Sequence, residues 1–226
     1  MGNVPTTSRL TWFFDHPFGQ IPDLSPSDLF LSEKDYTNVG WEKYTYPIPP
    51  LFREQYNAHL QCLEDNKSET RRILAIADND ERQQAIKEFR IENSDKLFSA
   101  KRFCEQMGGD NPEAELASAL VAADYVSSNK FCQPLWLRFA DFSEANLNGA
   151  ALTLIDLRGA NLEGANFTDA RLDHANLRFA DLAGANLQGA VLKGTDLRFA
   201  ANLTEEQLRS AANTNGCELS GINGPR

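Results

Sequence analysis

Leu157-Arg158-Gly159-Ala160-Asn161-Leu162-Glu163-Gly164-Ala165-Asn166-Phe167-Thr168-Asp169-Ala170 is the stretch that decides the fold. Leucine or phenylalanine returns at every fifth residue, alanine stands two places ahead of each, and asparagine fills the gap between them. Followed outward, the large apolar residue recurs without a slip from Phe142 and Leu147 through Leu172, Leu182 and Leu192 to Leu197. The small residue recurs from Ala140 to Ala190, with Ile155 and Thr195 as exceptions.

A period of five suits neither regular element. On a helix of about 3.6 residues per turn, each step of five carries the apolar residue away from any single face. On a flat strand an odd step places successive leucines on opposite faces. All of them point inward only if the backbone turns a corner in every unit. Four corners close a coil of twenty residues, and coils stack at about 4.8 Å. A narrow interior admits one large side chain per unit, hence the alanines, and Asp or Asn tolerates turn geometry. A second period supports the twenty-residue coil. Leu137-Arg138-Phe139-Ala140, Leu157-Arg158-Gly159-Ala160, Leu177-Arg178-Phe179-Ala180 and Leu197-Arg198-Phe199-Ala200 recur at intervals of twenty.

Residues 135–200 therefore resemble the pentapeptide-repeat family. The resemblance implies a right-handed quadrilateral parallel β-helix for 131–200. Together with a mainly α-helical N-terminal region, it gives an α+β chain.

The remaining segments divide on composition. Residues 1–50 hold seven of the ten prolines, and residues 12–56 hold eleven of the twenty-two aromatics, which reads as an extended arm. Residues 51–130 read as helical. Phe52, Tyr56, Leu60 and Leu63 form a first helix after Pro49-Pro50, and a longer one from Ser68 carries Ile73, Ile76, Ala77, Ile86 and Phe89. A third spans Leu97, Phe98 and Phe103 to Gly108-Gly109, and a fourth starts at Asp110-Asn111-Pro112. At the far end the register slips at Ala200-Ala201, and Thr204-Glu205-Glu206-Gln207 has the form of a capping box. Residues 201–226 thus read as a capping helix, with Leu208 and Ala211 facing the last coil, and an irregular tail.

No catalytic constellation is present in the sequence: no phosphate loop, dinucleotide fingerprint, nucleophile elbow or zinc-protease motif. His16, His59 and His174 read as surface or packing histidines, and Asp15-His16 as neighbours that do not share a target. Cys62, Cys104, Cys132 and Cys217 lack metal spacing, so neither a metal nor a cofactor is expected. The net charge of −10 speaks against direct nucleic-acid binding. No apolar run reaches membrane-spanning length, and a cytoplasmic, bacterial location is expected. Met1-Gly2-Asn3-Val4-Pro5-Thr6 matches the form of a myristoylation site.

One feature invites a partner. By the coil geometry Arg138, Arg158, Arg178 and Arg198 stack on one outer face, beside Phe139, Phe179 and Phe199. Like charges at that spacing repel by roughly 1 kcal/mol per neighbour, so compensation is expected from Asp156 and Asp196, or from Asp141 and Asp181. The seven face residues are candidates for an interaction surface, taking the N-terminal half or a carboxylate- or phosphate-bearing partner. The expected function is a non-enzymatic protein-interaction or scaffold module, with a homodimer as one arrangement. The resemblance also implies two alternatives found within the family, a DNA-mimicking topoisomerase inhibitor and a secreted bacterial effector.

Overall fold

A computed structural model of the chain describes residues 49–221, apart from 114, 118 and 121–134. The proline-rich arm, Asp15-His16, the myristoylation motif and Cys132 lie outside the described residues.

From residue 136 the backbone winds in coils of twenty. Parallel bridges join each coil to the next in four columns. The first side carries Trp136, Asp156, Asn176 and Asp196, and the second Asp141, Asn161, Asp181 and Ala201. The third carries Asn146, Asn166 and Asn186, and the fourth Ala151, Arg171 and Val191. Each five-residue unit contributes a single bridging residue and then a turn, so the sides are isolated bridges where longer strand pairing was expected. The turns are closed by bonds such as Ala140 N–H to the Leu137 carbonyl, 3.2 Å. Their third residue takes a positive φ, as at Phe139 (61°) and Gly159 (65°). Between coils, Leu137 N–H donates to the Asp156 carbonyl (2.8 Å) and Asp156 N–H to that of Leu135 (2.9 Å).

The leucines and phenylalanines of the repeat are buried along the axis, each contributing about 1.5–3 kcal/mol. The two exceptions to the alanine rule fit inside as well. Ile155 is buried, and Thr195 donates its hydroxyl to the Leu172 carbonyl at 2.7 Å.

Four helices precede the coils: α1 Pro50–Asp65, α2 Lys67–Leu74, α3 Asn79–Glu92 and α4 Ala100–Met107. The long second helix expected from Ser68 is broken in two. Asp78 leaves the helical region and caps α3 by accepting from Glu81 N–H, 2.8 Å. The third expected helix begins later than its apolar residues suggested. Phe98 to Ala100 is extended and bridges onto the first coil: Ala100 N–H donates to the Asp141 carbonyl (2.8 Å), and Asp141 N–H to that of Phe98 (2.9 Å). Ser99 then caps α4. A further helical stretch occupies residues 112–120.

This unit closes the starting end of the coils. Phe52, Tyr56 and Leu60 of α1, Phe98, and Phe103 of α4 share one buried cluster with the solenoid leucines. Tyr56 Oη accepts from Trp136 N–H at 3.2 Å. A strand edge that would otherwise invite another chain is thereby covered.

At the other end, α5 (Glu205–Ser210) stands where the third side would continue. Its capping box forms, with Gln207 Oε1 accepting from Thr204 N–H at 2.7 Å. Gln207 Nε2 donates to the carbonyls of Leu182 and Ala185, and Leu208 and Ala211 pack against the core. The chain then rejoins the coil. Asn213 bridges to Val191 and Glu218 to Asp196, an offset of twenty-two that absorbs the helix. Residues up to 221 thus continue the solenoid where an irregular tail was expected.

Candidate functional site

The arginine face begins from Asp156. Its side chain is only 4% exposed, and burial alone would raise its pKa. Arg138 Nε and Arg158 Nη2 each lie 2.7 Å from its Oδ2, and together they outweigh burial and hold it below the ordinary carboxylate range. One buried carboxylate therefore fixes two guanidiniums on adjacent coils. Higher up, Asp196 receives Arg198 at 2.6 Å, and Glu218 receives the same arginine at 2.9 Å.

Arg178 stands between these clusters and is served less well. Asn176 occupies the place that Asp156 and Asp196 hold one coil away, so no carboxylate comes from its own unit. Its ion pair to Asp196 is 3.9 Å, its Nε has no hydrogen-bond partner among the described residues, and burial lowers its pKa. It rests on the ring of Phe179, 4.8 Å from the centroid. Asp141 and Asp181 do not serve the ladder. They belong to the second side, where they accept from Asn161 (3.0 Å) and Asn202 (2.8 Å).

The phenylalanines are used internally. Helix α3 lies along their corner with Arg82, Gln83, Ile86 and Phe89 turned towards it. Phe89 and Phe139 rings meet at 5.0 Å, and Phe179 stacks on Phe199 at 5.6 Å. Arg82 places its guanidinium 4.5 Å from Phe179 and 4.9 Å from Phe199. Gln83 Nε2 donates to the carbonyls of both, each at 3.2 Å. Gly159 is the departure from phenylalanine in this column, and the packing accounts for it. A Cβ there would lie 3.1 Å from the Phe139 ring and 3.6 Å from Ile86.

Of the seven candidate face residues, the structure places Phe139 and Phe179 in the interior with α3 and Phe199 partly beneath it. Arg138, Arg158, Arg178 and Arg198 remain partly exposed, at 24–34% of their side chains. Between α2 and the lower arginines lies a cleft of about 330 Å³. Lys67, Arg71, Arg138 and Arg158 line it beside Trp136 and Leu74. Lys67 and Arg71 are members that sequence reasoning missed, because only the fold brings α2 beside the ladder.

His59 is fully buried: Nδ1 accepts from Phe98 N–H at 3.1 Å, which leaves the proton on Nε2. Burial, then the nearby Arg138 charge, lowers its pKa to about 3. His174 sits at a coil corner with φ 56°. Among the described residues no group of His, Cys, Asp and Glu is placed to hold a metal ion, and no helix is long and apolar enough to cross a membrane.

A family model described as Pentapeptide repeats matches residues 137–173 and 170–205, in eight copies. No curated protein matches the chain. Among solved structures, a pentapeptide-repeat protein of the Arabidopsis thaliana thylakoid lumen is 22% identical, covering 39% of this chain and 57% of that one, with a TM-score of 0.20. QnrB1, a plasmid-mediated fluoroquinolone resistance protein, is 23% identical over 40% of this chain and 58% of its own, with a TM-score of 0.22. Rfr23, a pentapeptide-repeat protein of the cyanobacterium Cyanothece 51142, is 31% identical over 43% and 65%, with a TM-score of 0.20. The chain thus spans less than two thirds of the length of each of these structures.

Proposed function

Taking residues 137–205 as the pentapeptide-repeat region of this chain, we propose that the protein is a non-enzymatic interaction module that presents the third side of its solenoid to a protein partner. Support comes from the way that side is built. Asn146, Asn148, Asn186 and Gln188 are exposed on it. Cross-coil bonds hold its polar groups in register, Asn166 Nδ2 donating to Asn146 Oδ1 (3.2 Å) and Asn186 Nδ2 to Thr168 Oγ1 (3.0 Å). Polar groups ordered before a partner arrives lower the entropic cost of association. The helical unit closes one end and one corner of the coils, and leaves this side in solvent. Repeat surfaces of this kind bind over extended areas.

The test compares the wild-type chain with an Asn148→Arg/Gln188→Arg variant in quantitative affinity capture. Two new charges on the third side should deplete a defined set of partners while thermal stability holds. Identical partner sets from the two proteins would overturn the proposal. Inhibition of topoisomerase supercoiling by the wild-type chain would replace it with DNA mimicry.

A further inference from the structure

The cleft between α2 and the lower arginine ladder is chemically unlike the rest of this acidic chain. Four cationic side chains line it, and none of its described lining residues is acidic. The nearest carboxylates are already committed. Asp156 lies beneath Arg138 and Arg158, and Glu64 is 3.6 Å from Lys67. Two carboxylates against four cations leave the cleft an excess of positive charge on a protein whose net charge is −10.

The guanidiniums are also held in place. Arg138 uses Nε on Asp156 and lays its guanidinium 5.1 Å from the Trp136 ring, so its two terminal nitrogens are left for another group. A planar fork fixed in this way favours carboxylates, because little side-chain freedom remains to be lost. The rest of the wall is apolar, formed by Leu63, Leu74, Ala75 and Trp136. Bare phosphate would leave that half of the wall without a counterpart. A peptide that alternates acidic and apolar side chains satisfies both halves.

We propose that this cleft is a docking site for a short segment of a protein partner in which carboxylates alternate with aromatic or aliphatic residues. The inference rests on the chain being an interaction module, but it uses a different surface from the third side. Loss of capture in the Asn148→Arg/Gln188→Arg variant and loss of binding in the cleft are therefore separate readouts.

The experiment is fluorescence anisotropy on the full chain. The probe is a labelled heptapeptide alternating glutamate with phenylalanine and leucine. Saturable binding is expected, weakening as salt is raised and falling by about tenfold or more in a Lys67→Gln/Arg71→Gln variant. Both positions lie on the outer helix, so that variant tests charge without disturbing Asp156. Arg138→Lys keeps the charge and loses the fork, and should weaken binding while leaving the salt dependence. The proposal is overturned if the peptide does not bind, if the Lys67→Gln/Arg71→Gln variant binds equally well, if a glutamine version of the peptide binds as tightly, or if inorganic phosphate displaces it at comparable concentration.

Discussion

Gly159→Ala tests how α3 is seated on the solenoid. The glycine has φ 65°, in the left-handed region, so any side chain there costs about 1 kcal/mol in backbone conformation. Gly184, at φ 63°, carries the same backbone penalty and supplies the control. The two sites differ in what a Cβ would meet. At Gly184 there is nothing within 4 Å, whereas at Gly159 two atoms of the Phe139 ring lie at 3.1 Å. That ring has no room to retreat, because Phe139 is buried against Phe89 and Ile86. Overpacking a rigid site costs about 1–3 kcal/mol. Gly159→Ala should therefore destabilise by about 2–4 kcal/mol and Gly184→Ala by about 1 kcal/mol. Urea denaturation followed by circular dichroism reads the difference, and amide exchange of α3 should accelerate only in Gly159→Ala. Equal losses in the two variants, or unchanged exchange in α3, would refute the packing account.

Three further outcomes follow from the same contacts. Asp156→Ala leaves two guanidiniums beside a vacated, buried position and should cost about 3–5 kcal/mol in chemical denaturation, with Asp156→Asn losing less. Acid should weaken the fold in two stages. His59 is held neutral with a pKa of about 3 against an ordinary 6.5, so the unfolded chain gains a proton first. Stability then falls as pH drops from about 6.5 towards 3, by up to about 5 kcal/mol, and does not change on this account above that window. Asp156 is held ionised by its arginines, so its contribution is present above the ordinary carboxylate value and is lost as pH falls below it; denaturation midpoints between pH 7 and 3, with His59→Gln as the flatter reference, check both stages. Gln207→Ala removes one acceptor and two donors from the C-terminal cap and should cost about 1–2 kcal/mol, read as faster amide exchange from 205 to 221.

The repeat region was legible because its signals are periodic. The five-residue return of leucine and the twenty-residue return of arginine both survive as geometry, in the inward core and in the bridges at intervals of twenty. What the sequence hid is non-periodic. A single bridging residue at Ser99 has no alternation to betray it, and its pairing depends on where the helices place it. The break before α3 did carry a signal, since Asp78 stands three residues ahead of Glu81 in the pattern of a cap. The apolar Ile76 and Ala77 hid it by extending the helical spacing. The resumption of the coil was also written in the chain. Gly216 and Gly221 stand five apart with positive φ, like Gly184, Gly189 and Gly194 before them.

The candidate face shows the same division. Stacking of the four arginines followed from their spacing, and two of the four expected acids serve them. The use of the phenylalanines followed only from α3, whose Arg82, Gln83, Ile86 and Phe89 are ordinary helix residues until the corner that they cover is known. Gly159 marks that coverage most directly, as the one glycine among three phenylalanines.

Cross-linking measures the coil itself. In an Asn148→Cys/Thr168→Cys variant the two residues stand twenty apart on the third side. Stacked coils place their α-carbons about 5 Å apart, within reach of a disulfide. An Asn148→Cys/Asp173→Cys variant puts the second cysteine one side further round the coil. Mild oxidation with mass-spectrometric mapping should link the first pair and leave the second reduced. Efficient linkage of the second pair with none in the first would contradict a twenty-residue coil.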